Sequence, residues 1–472
     1  MKTHTLMTSL AIAAAGMLPL VSCTEAIETD LAGDTSRLEN TMTVLGYCNV
    51  LDNPRLAAME VRTEPVTIRL QAALTNRHNA IVDFSFIPEP SDDLMDEYNS
   101  QHETSFKALP AENVTLEDNG RIAIAPGDRV SYEFDMTVSP DGLDEGTYVL
   151  PLRVTTESVK VSAADTVKYF VFKMLGDRPS AAKESGIVTI CYVESGYNPL
   201  NAGEWTLATS GKPLFDIVNL FAADIKFNEE TGRVYINFNS NIEAMLQNRD
   251  KYIRPLQEKG IKVGLTFLPN GDGVGQSNLT DADIKTLAAE IKSIMETYDL
   301  DVVDFDEEHA GYTENPQPGF EDNGPLPYEK LCYEVKRLLP DRLLTVYYIG
   351  SGMTNGFPYD VNGVEPGDFI DYAYWSMYMS YDYNNGWSKI KGMEKSQYGP
   401  YPFAFGSDGG EMYDSYLKQV RDEGYGVQIV YNLDVKDGNE VKGNYESKLG
   451  QISRALYDEE IRHSGIDHGV DW

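Results

Sequence analysis

From residue 66 the chain reads in short stretches where apolar and polar side chains alternate. Val66-Thr67-Ile68-Arg69-Leu70, Ile81-Val82-Asp83-Phe84-Ser85-Phe86 and Val130-Ser131-Tyr132-Glu133-Phe134-Asp135-Met136 follow or approximate a period of two. Tyr148-Val149-Leu150-Pro151-Leu152-Arg153-Val154 and Tyr169-Phe170-Val171-Phe172 continue the series. A strand turns successive side chains to opposite faces, so this period predicts half-buried strands. Asp118-Asn119-Gly120 and Pro140-Asp141-Gly142 supply turns between some of them. Strands separated by such turns predict an all-β sandwich over residues 41–175. Residues 91–103 fit a helix within it. Gly176-Asp177-Arg178-Pro179-Ser180 opens a linker, placed at 176–184.

Beyond the linker the texture changes. Apolar runs at 187–193, 215–220, 263–267, 344–348, 372–378 and 427–431 are too continuous for one wet face and predict strands buried on both sides. Helical patterns alternate with them. In the clearest, 281–298, Ile284, Leu287, Ala288, Ile291, Ile294, Met295 and Tyr298 recur at helical spacing, and Thr280 to Asp283 has the form of a capping box. A final helix is expected near 446–457. With the stretch around 301–308, seven strands are visible, and an eighth is expected near Phe403-Ala404-Phe405. The predicted fold is therefore multidomain: the all-β sandwich, then an α/β TIM-type (β/α)8 barrel over 185–472. Active sites of that barrel form at the carboxyl ends of its strands.

Composition narrows the partners. The chain has 472 residues and a formal charge of −35, which excludes a phosphate backbone as ligand for want of a basic surface. Its length calls for two domains. Twenty-nine tyrosines offer flat apolar faces with polar tips, which suit sugar rings, although packing within strands accounts for most of them. Cys23, Cys48, Cys191 and Cys332 have neither metal-ligand spacing nor disulfide density, so no metal, organic cofactor or disulfide is expected. Cys191 and Cys332 read as small buried hydrophobes.

At the start, Lys2 precedes an apolar stretch from Leu6 to Leu20 that is too short to span a bilayer. It ends in Leu20-Val21-Ser22-Cys23, which resembles a bacterial lipoprotein signal. The resemblance implies a signal peptide over 1–22, lipidation at Cys23 and a polar tether over 23–40. It implies an exported protein, lipid-anchored to the bacterial outer membrane on its cell-surface or periplasmic face; a monomer is expected.

The candidate chemistry lies in Asp301-Val302-Val303-Asp304-Phe305-Asp306-Glu307-Glu308. Alternation puts Asp304, Asp306 and Glu308 on one face of a strand and Val303 and Phe305 on the other. Three carboxylates in a row repel one another unless protons or a substrate relieve them. A metal site or a solvated edge strand would also use carboxylates, but Val303 and Phe305 call for burial. Acid catalysis is the remaining reading.

The pattern Asp-x-x-Asp-x-Asp-x-Glu resembles glycoside hydrolase family 18, and residues 298–308 resemble its endo-β-N-acetylglucosaminidases of the endoglycosidase H/F type. Tyr192-Val193-Glu194, Phe221-Ala222-Ala223-Asp224-Ile225, Ile253-Arg254-Pro255-Leu256-Gln257 and Tyr431-Asn432-Leu433 recur in the same order. The resemblance implies hydrolysis of the β-1,4 bond in the N,N'-diacetylchitobiose core of Asn-linked glycans, with the substrate's 2-acetamido group as nucleophile. Glu308 would be the acid and base, Asp306 would hold the acetamido N–H, and Asp304 would share a proton with Asp306. Tyr378 would donate to the acetamido carbonyl, with Tyr381 as the rival. Asn270, Trp375, Tyr431, Asn432 and Tyr192 would contact substrate. A chitinase, or a glycan-binding protein of weak activity, is the alternative. Three departures stand out: Val302 where the family has Gly, no His after Asn270, and Trp375 where the branch often has Asn. The preferred class of glycan is left open, as is any role of the sandwich beyond that of a spacer.

Overall fold

A computed structural model describes residues 43–51, 58–348, 356–405, 411–433 and 441–472, with side chains of 441–444 excepted. The expected signal peptide, Cys23 and the tether lie outside the described residues.

The N-terminal alternating stretches form two sheets. One runs Lys160–Val161, Leu45–Val50, Val66–Leu74, Phe134–Val138, Val114–Leu116. The other runs Met59–Val61, Val167–Met174, Gly146–Thr155, Val82–Pro88, Arg121–Ile124. Val82, Phe84 and Phe86 are buried, while Asp83 and Ile87 between and beside them are exposed. The rings of Phe86 and Phe134 meet at 4.9 Å, joining the apolar faces of the two sheets. The expected helix is Asp92–His102. It follows Ser91, ends at left-handed Glu103 and buries Met95 and Tyr98.

The second region is built on parallel strands. In chain order these are Val188–Glu194, Ile217–Asn228, Lys262–Pro269, Val302–Phe305, Leu343–Tyr348 and Tyr372–Trp375, each paired with the next. The sixth pairs with Tyr398–Gly399, while Phe403–Ala404 pairs with Val427–Tyr431, which returns to the first strand. The two ends of the path are thus parts of one short stretch, 398–404. The second strand also folds back on Arg233–Asn237, a hairpin the pattern did not announce.

Alternation sorts the side chains between two faces. Ile190, Tyr192, Val302, Tyr347, Tyr374 and Ile429 form an inner cluster. Cys191, Val193, Val303, Phe305, Leu344 and Val430 join the outer core under the helices. Helix Asp281–Tyr298 buries Ile284, Leu287, Ala288, Ile291 and Met295 there. Thr280 Oγ1 accepts from the amide of Asp283 at 3.2 Å, a cap contributing about 1 kcal/mol. The terminal helix, Val441–Tyr457, starts earlier than expected. Cys48, Cys191 and Cys332 are free and buried. Desolvation pushes the Cys48 thiol up to about 12 and raises the other two further.

Residues Leu45–Trp472 form one compact unit, so the two regions are joined rather than strung apart. Their contacts gather at the amino ends of the parallel strands. Lys262 meets Glu60 at 2.5 Å, Lys173 meets Asp301 at 3.5 Å, and Thr147 donates to Asp341 at 3.2 Å. His102 Nδ1 lies 2.8 Å from the carbonyl of Arg337, and the Arg337 guanidinium meets Glu103 at 3.1 Å.

Candidate active site

The carboxylate row sits at the opposite, carboxyl end. The fourth strand stops at Phe305, so Asp306 and Glu308 stand just beyond it, although the amide of Asp306 still donates to the carbonyl of Phe267 at 3.2 Å. Asp304 and Asp306 are buried and Glu308 is half-buried. Glu307 faces away and accepts from Tyr312 at 2.6 Å.

Asp304 is held by four hydroxyls from four strands. Tyr192 and Thr266 each donate to Oδ2 at 2.8 Å, Thr345 donates to Oδ1 at 2.5 Å, and Tyr374 donates to the same oxygen. Four donors fill the lone pairs of a carboxylate. Burial pushes its pKa up and the four hydroxyls pull it back. Asp304 is thus engaged by hydroxyls on both of its oxygens. Tyr192 is reassigned, since it is 2% exposed and serves Asp304 from beneath.

Asp306 has the opposite environment. Burial raises its pKa first, and the charges of Glu308, Asp304 and Glu307 raise it further. The backbone of Glu308 gives it one hydrogen bond, yet its Oδ1 is buried with no partner. A buried acceptor left open costs stability unless a ligand supplies the donor. Burial also raises Glu308, against a smaller lowering by neighbouring His309, so its acid form persists to higher pH.

The tyrosines divide cleanly. Tyr378, on the loop past the sixth strand, packs in the inner cluster, 6.0 Å from the ring of Tyr347 and 5.2 Å from that of Tyr431. Burial and then the neighbouring phenols raise its pKa, with Asp306 adding to the effect. Tyr381 lies in the outer core, between Tyr383, Tyr416 and Tyr425, with its hydroxyl 3.4 Å from Glu423. The geometry therefore brings Tyr378, and not Tyr381, to the carboxylates. Tyr431 donates to Glu194. Asn432, in the left-handed region at φ 61°, follows with a buried, unpartnered Oδ1.

Two expected contacts fall elsewhere. Trp375 stacks on Tyr348 at 6.0 Å and packs against the outer core, because it follows inward-facing Tyr374 by one step. Asn270 is exposed one residue past the third strand, and no contact joins it to the carboxylates. Val302 is accommodated by its neighbour. It pairs with Gly264, and a Cβ on that glycine would lie 2.9 Å from the Cβ of Val302 and 2.2 Å from Asn219 Oδ1. Sequence reasoning did not single out Thr266, Thr345, Tyr374 or Tyr347, and it quoted Glu194 only within Tyr192-Val193-Glu194, without a role. Their only local signal is parity, each sharing the inward face of a parallel strand.

The chain is 36% identical over 281 residues to endo-β-N-acetylglucosaminidase F1 of Elizabethkingia meningoseptica, covering 58% of this chain and 79% of that one. It is 31% identical over 286 residues to an endo-β-N-acetylglucosaminidase of Flavobacterium sp., covering 60% of this chain and 84% of that one. The chain belongs to the endo-β-N-acetylglucosaminidases of glycoside hydrolase family 18. Among solved structures, EndoBT-3987 of Bacteroides thetaiotamicron with a Man5GlcNAc product superposes with a TM-score of 0.76 at 25% identity, over 88% of this chain and 96% of that one. That match extends over the N-terminal region, where a family profile described as an N-terminal domain matches residues 53–161. The chain is a glycoside hydrolase, and Glu308 is the half-buried carboxyl of the row.

Proposed function

We propose that this glycosidase hydrolyses the β-1,4 bond between the two core N-acetylglucosamines of Asn-linked glycans by substrate-assisted, retaining catalysis on a (β/α)8 barrel. The returning path of parallel strands supports the barrel, and the two facing N-terminal sheets support a β-sandwich before it. The observation that carries the mechanism is the open, buried Oδ1 of Asp306 beside half-open Glu308. An acetamido N–H is the donor that Oδ1 lacks.

Glu308 gives its proton to the glycosidic oxygen as the C1–O bond breaks. The acetamido carbonyl oxygen attacks C1, closing an oxazolinium ring whose N–H rests on Asp306. The Tyr378 phenol donates to that carbonyl and orients it. Water then attacks C1, and Glu308 takes its proton. Asp304, fixed by four hydroxyls, does not touch substrate. Its negative charge raises Asp306 and keeps that carboxyl responsive to the N–H placed on it. Substrate names support the reading: a second EndoBT-3987 structure holds a Man9GlcNAc2Asn substrate.

The test is mass analysis of products from defined N-glycopeptides and from chitin oligomers. Glycan release that leaves one N-acetylglucosamine on Asn is expected, and Glu308→Gln should lower the rate by about a thousandfold. Chitobiose released from chitin oligomers alone would overturn the reading, as would turnover in Glu308→Gln equal to wild type. The reading of residues 1–23 as a lipoprotein signal adds a membrane tether at Cys23. Cys23→Ala should move the protein from the membrane fraction to the soluble one, and unchanged fractionation would remove the tether.

A further inference from the structure

Glu194 closes the first parallel strand and has no part in the mechanism above. It lies two residues past Tyr192, so it shares the inward face. Unlike Tyr192, which is buried under Asp304, Glu194 is only partly covered. The register pairs Tyr192 with Tyr431 on the strand Val427–Tyr431, and the Tyr431 hydroxyl reaches forward to donate to Glu194 Oε1. These two adjacent strands, Val188–Glu194 and Val427–Tyr431, stand away from the fourth strand in the returning path. The Tyr431 phenol is nevertheless within electrostatic reach of both Asp306 and Glu308. Burial raises its pKa first, Glu194 second, and those two carboxylates add to it. Its ring lies 5.2 Å from that of Tyr378.

The direction of the hydrogen bond decides what this wall can do. A phenol has one proton. With that proton on Glu194, Tyr431 turns only lone pairs to the cleft. The second oxygen of Glu194 meets no donor among the described residues, so it too can only accept. An acceptor-only wall facing a proton-donating acid suits a group rich in hydroxyl donors, which a sugar ring is.

We infer that Glu194 and Tyr431 form a positioning pair that accepts hydrogen bonds from hydroxyls of the N-acetylglucosamine at the cleavage point. The inference rests on the proposed glycan substrate. The pair makes no bond to the reacting atoms. It holds the ring while Asp306, Tyr378 and Glu308 act on the acetamido group and the leaving oxygen, so its loss falls on binding and not on the chemical step.

Steady-state kinetics on a defined N-glycopeptide test this with Glu194→Gln, Glu194→Asp, Tyr431→Phe and the double variant Glu194→Gln/Tyr431→Phe, each with a thermal melt. Glu194→Gln and Tyr431→Phe should each raise KM about tenfold, with kcat changed less than about threefold and melting near that of wild type. Glu194→Asp, which keeps the charge, should recover part of the loss. The double variant should be little worse than either single one, because the pair acts as a unit. Unchanged KM in Glu194→Gln and Tyr431→Phe overturns the inference. So does a collapse of kcat like that of Glu308→Gln, which would make Glu194 a catalytic residue. Should Glu194→Gln fail to fold, the KM of Tyr431→Phe decides alone. A wild-type protein that leaves the glycopeptide uncut defeats the proposed function itself, a result distinct from active enzyme with indifferent variants.

Discussion

Asp301 and Asp306 flank the same strand and live in opposite electrostatic worlds. Burial alone would raise both. At Asp301 the charges of Lys173 and Arg342, with hydrogen bonds from Gln257 and the Val263 amide, more than reverse it and hold the carboxyl below its ordinary range. At Asp306 the neighbours are Glu308, Asp304 and Glu307, and every charge adds to the desolvation. A fold that neutralises one end of a strand and leaves the other frustrated separates support from function. The N-terminal region takes part in the neutral end by supplying Lys173 to Asp301 and Glu60 to Lys262. Burial pushes Glu60 up, and Lys262, followed by Arg62 and Lys173, pulls it below its usual range. That region is therefore a set of counter-charges for the amino ends of the strands as well as a covalent lead-in. Pairing at one end leaves the carboxyl end open to substrate.

The sharpest way to break this contrast is to neutralise both aspartates in turn. Asp306→Asn should lower activity on glycopeptide about a hundredfold yet melt higher than wild type at pH 7. The sign follows from linkage. A carboxyl raised in the folded state binds more protons there than when unfolded, so stability falls as pH rises through the window between the two pKa values. The advantage of Asp306→Asn should therefore vanish below about pH 4, where the unfolded-state carboxyl is protonated too. Asp301→Asn should do the reverse: activity per folded molecule is kept, and stability falls by about 2 kcal/mol at pH 7, discounted for partial exposure of the pair. A lowered carboxyl contributes stability above its unfolded-state pKa and loses it as pH falls through the folded value, so this deficit should shrink in acid. Melts of both variants across pH 3–8 would show it, and shifts of the same sign would erase the distinction between the two ends.

A smaller effect sharpens the boundary of the functional end. Tyr378→Phe should cost about tenfold in kcat/KM, while Tyr381→Phe should stay within about twofold. Equal losses would mean that the outer tyrosine cluster also serves the reaction.

Much of this was legible along the chain, and the reason is covalent. Alternation of side chains is a property of any strand, so the spacing of Asp304, Asp306 and Glu308 put them on one face before any neighbour was known, and opposed Val303 and Phe305 to them. The same local geometry made residues 91–103 and 281–298 readable as helices, with Ser91 and Thr280 at their starts. What the chain could not declare is which strands become neighbours and where each one stops. The sixth strand stops at Trp375, and Tyr378 packs inward from the loop beyond it. Val302 fits because Gly264, 38 positions earlier, lies beside it. The hydroxyls on Asp304 come from residues up to 112 positions away, and Tyr431 meets Glu194 across 237. The sequence by itself determined the row of acids and the face they share. Only the tertiary structure decided which acid is saturated, which is left open, and which end of the strand carries the compensating charge, because each of those depends on groups that meet through packing and not through spacing.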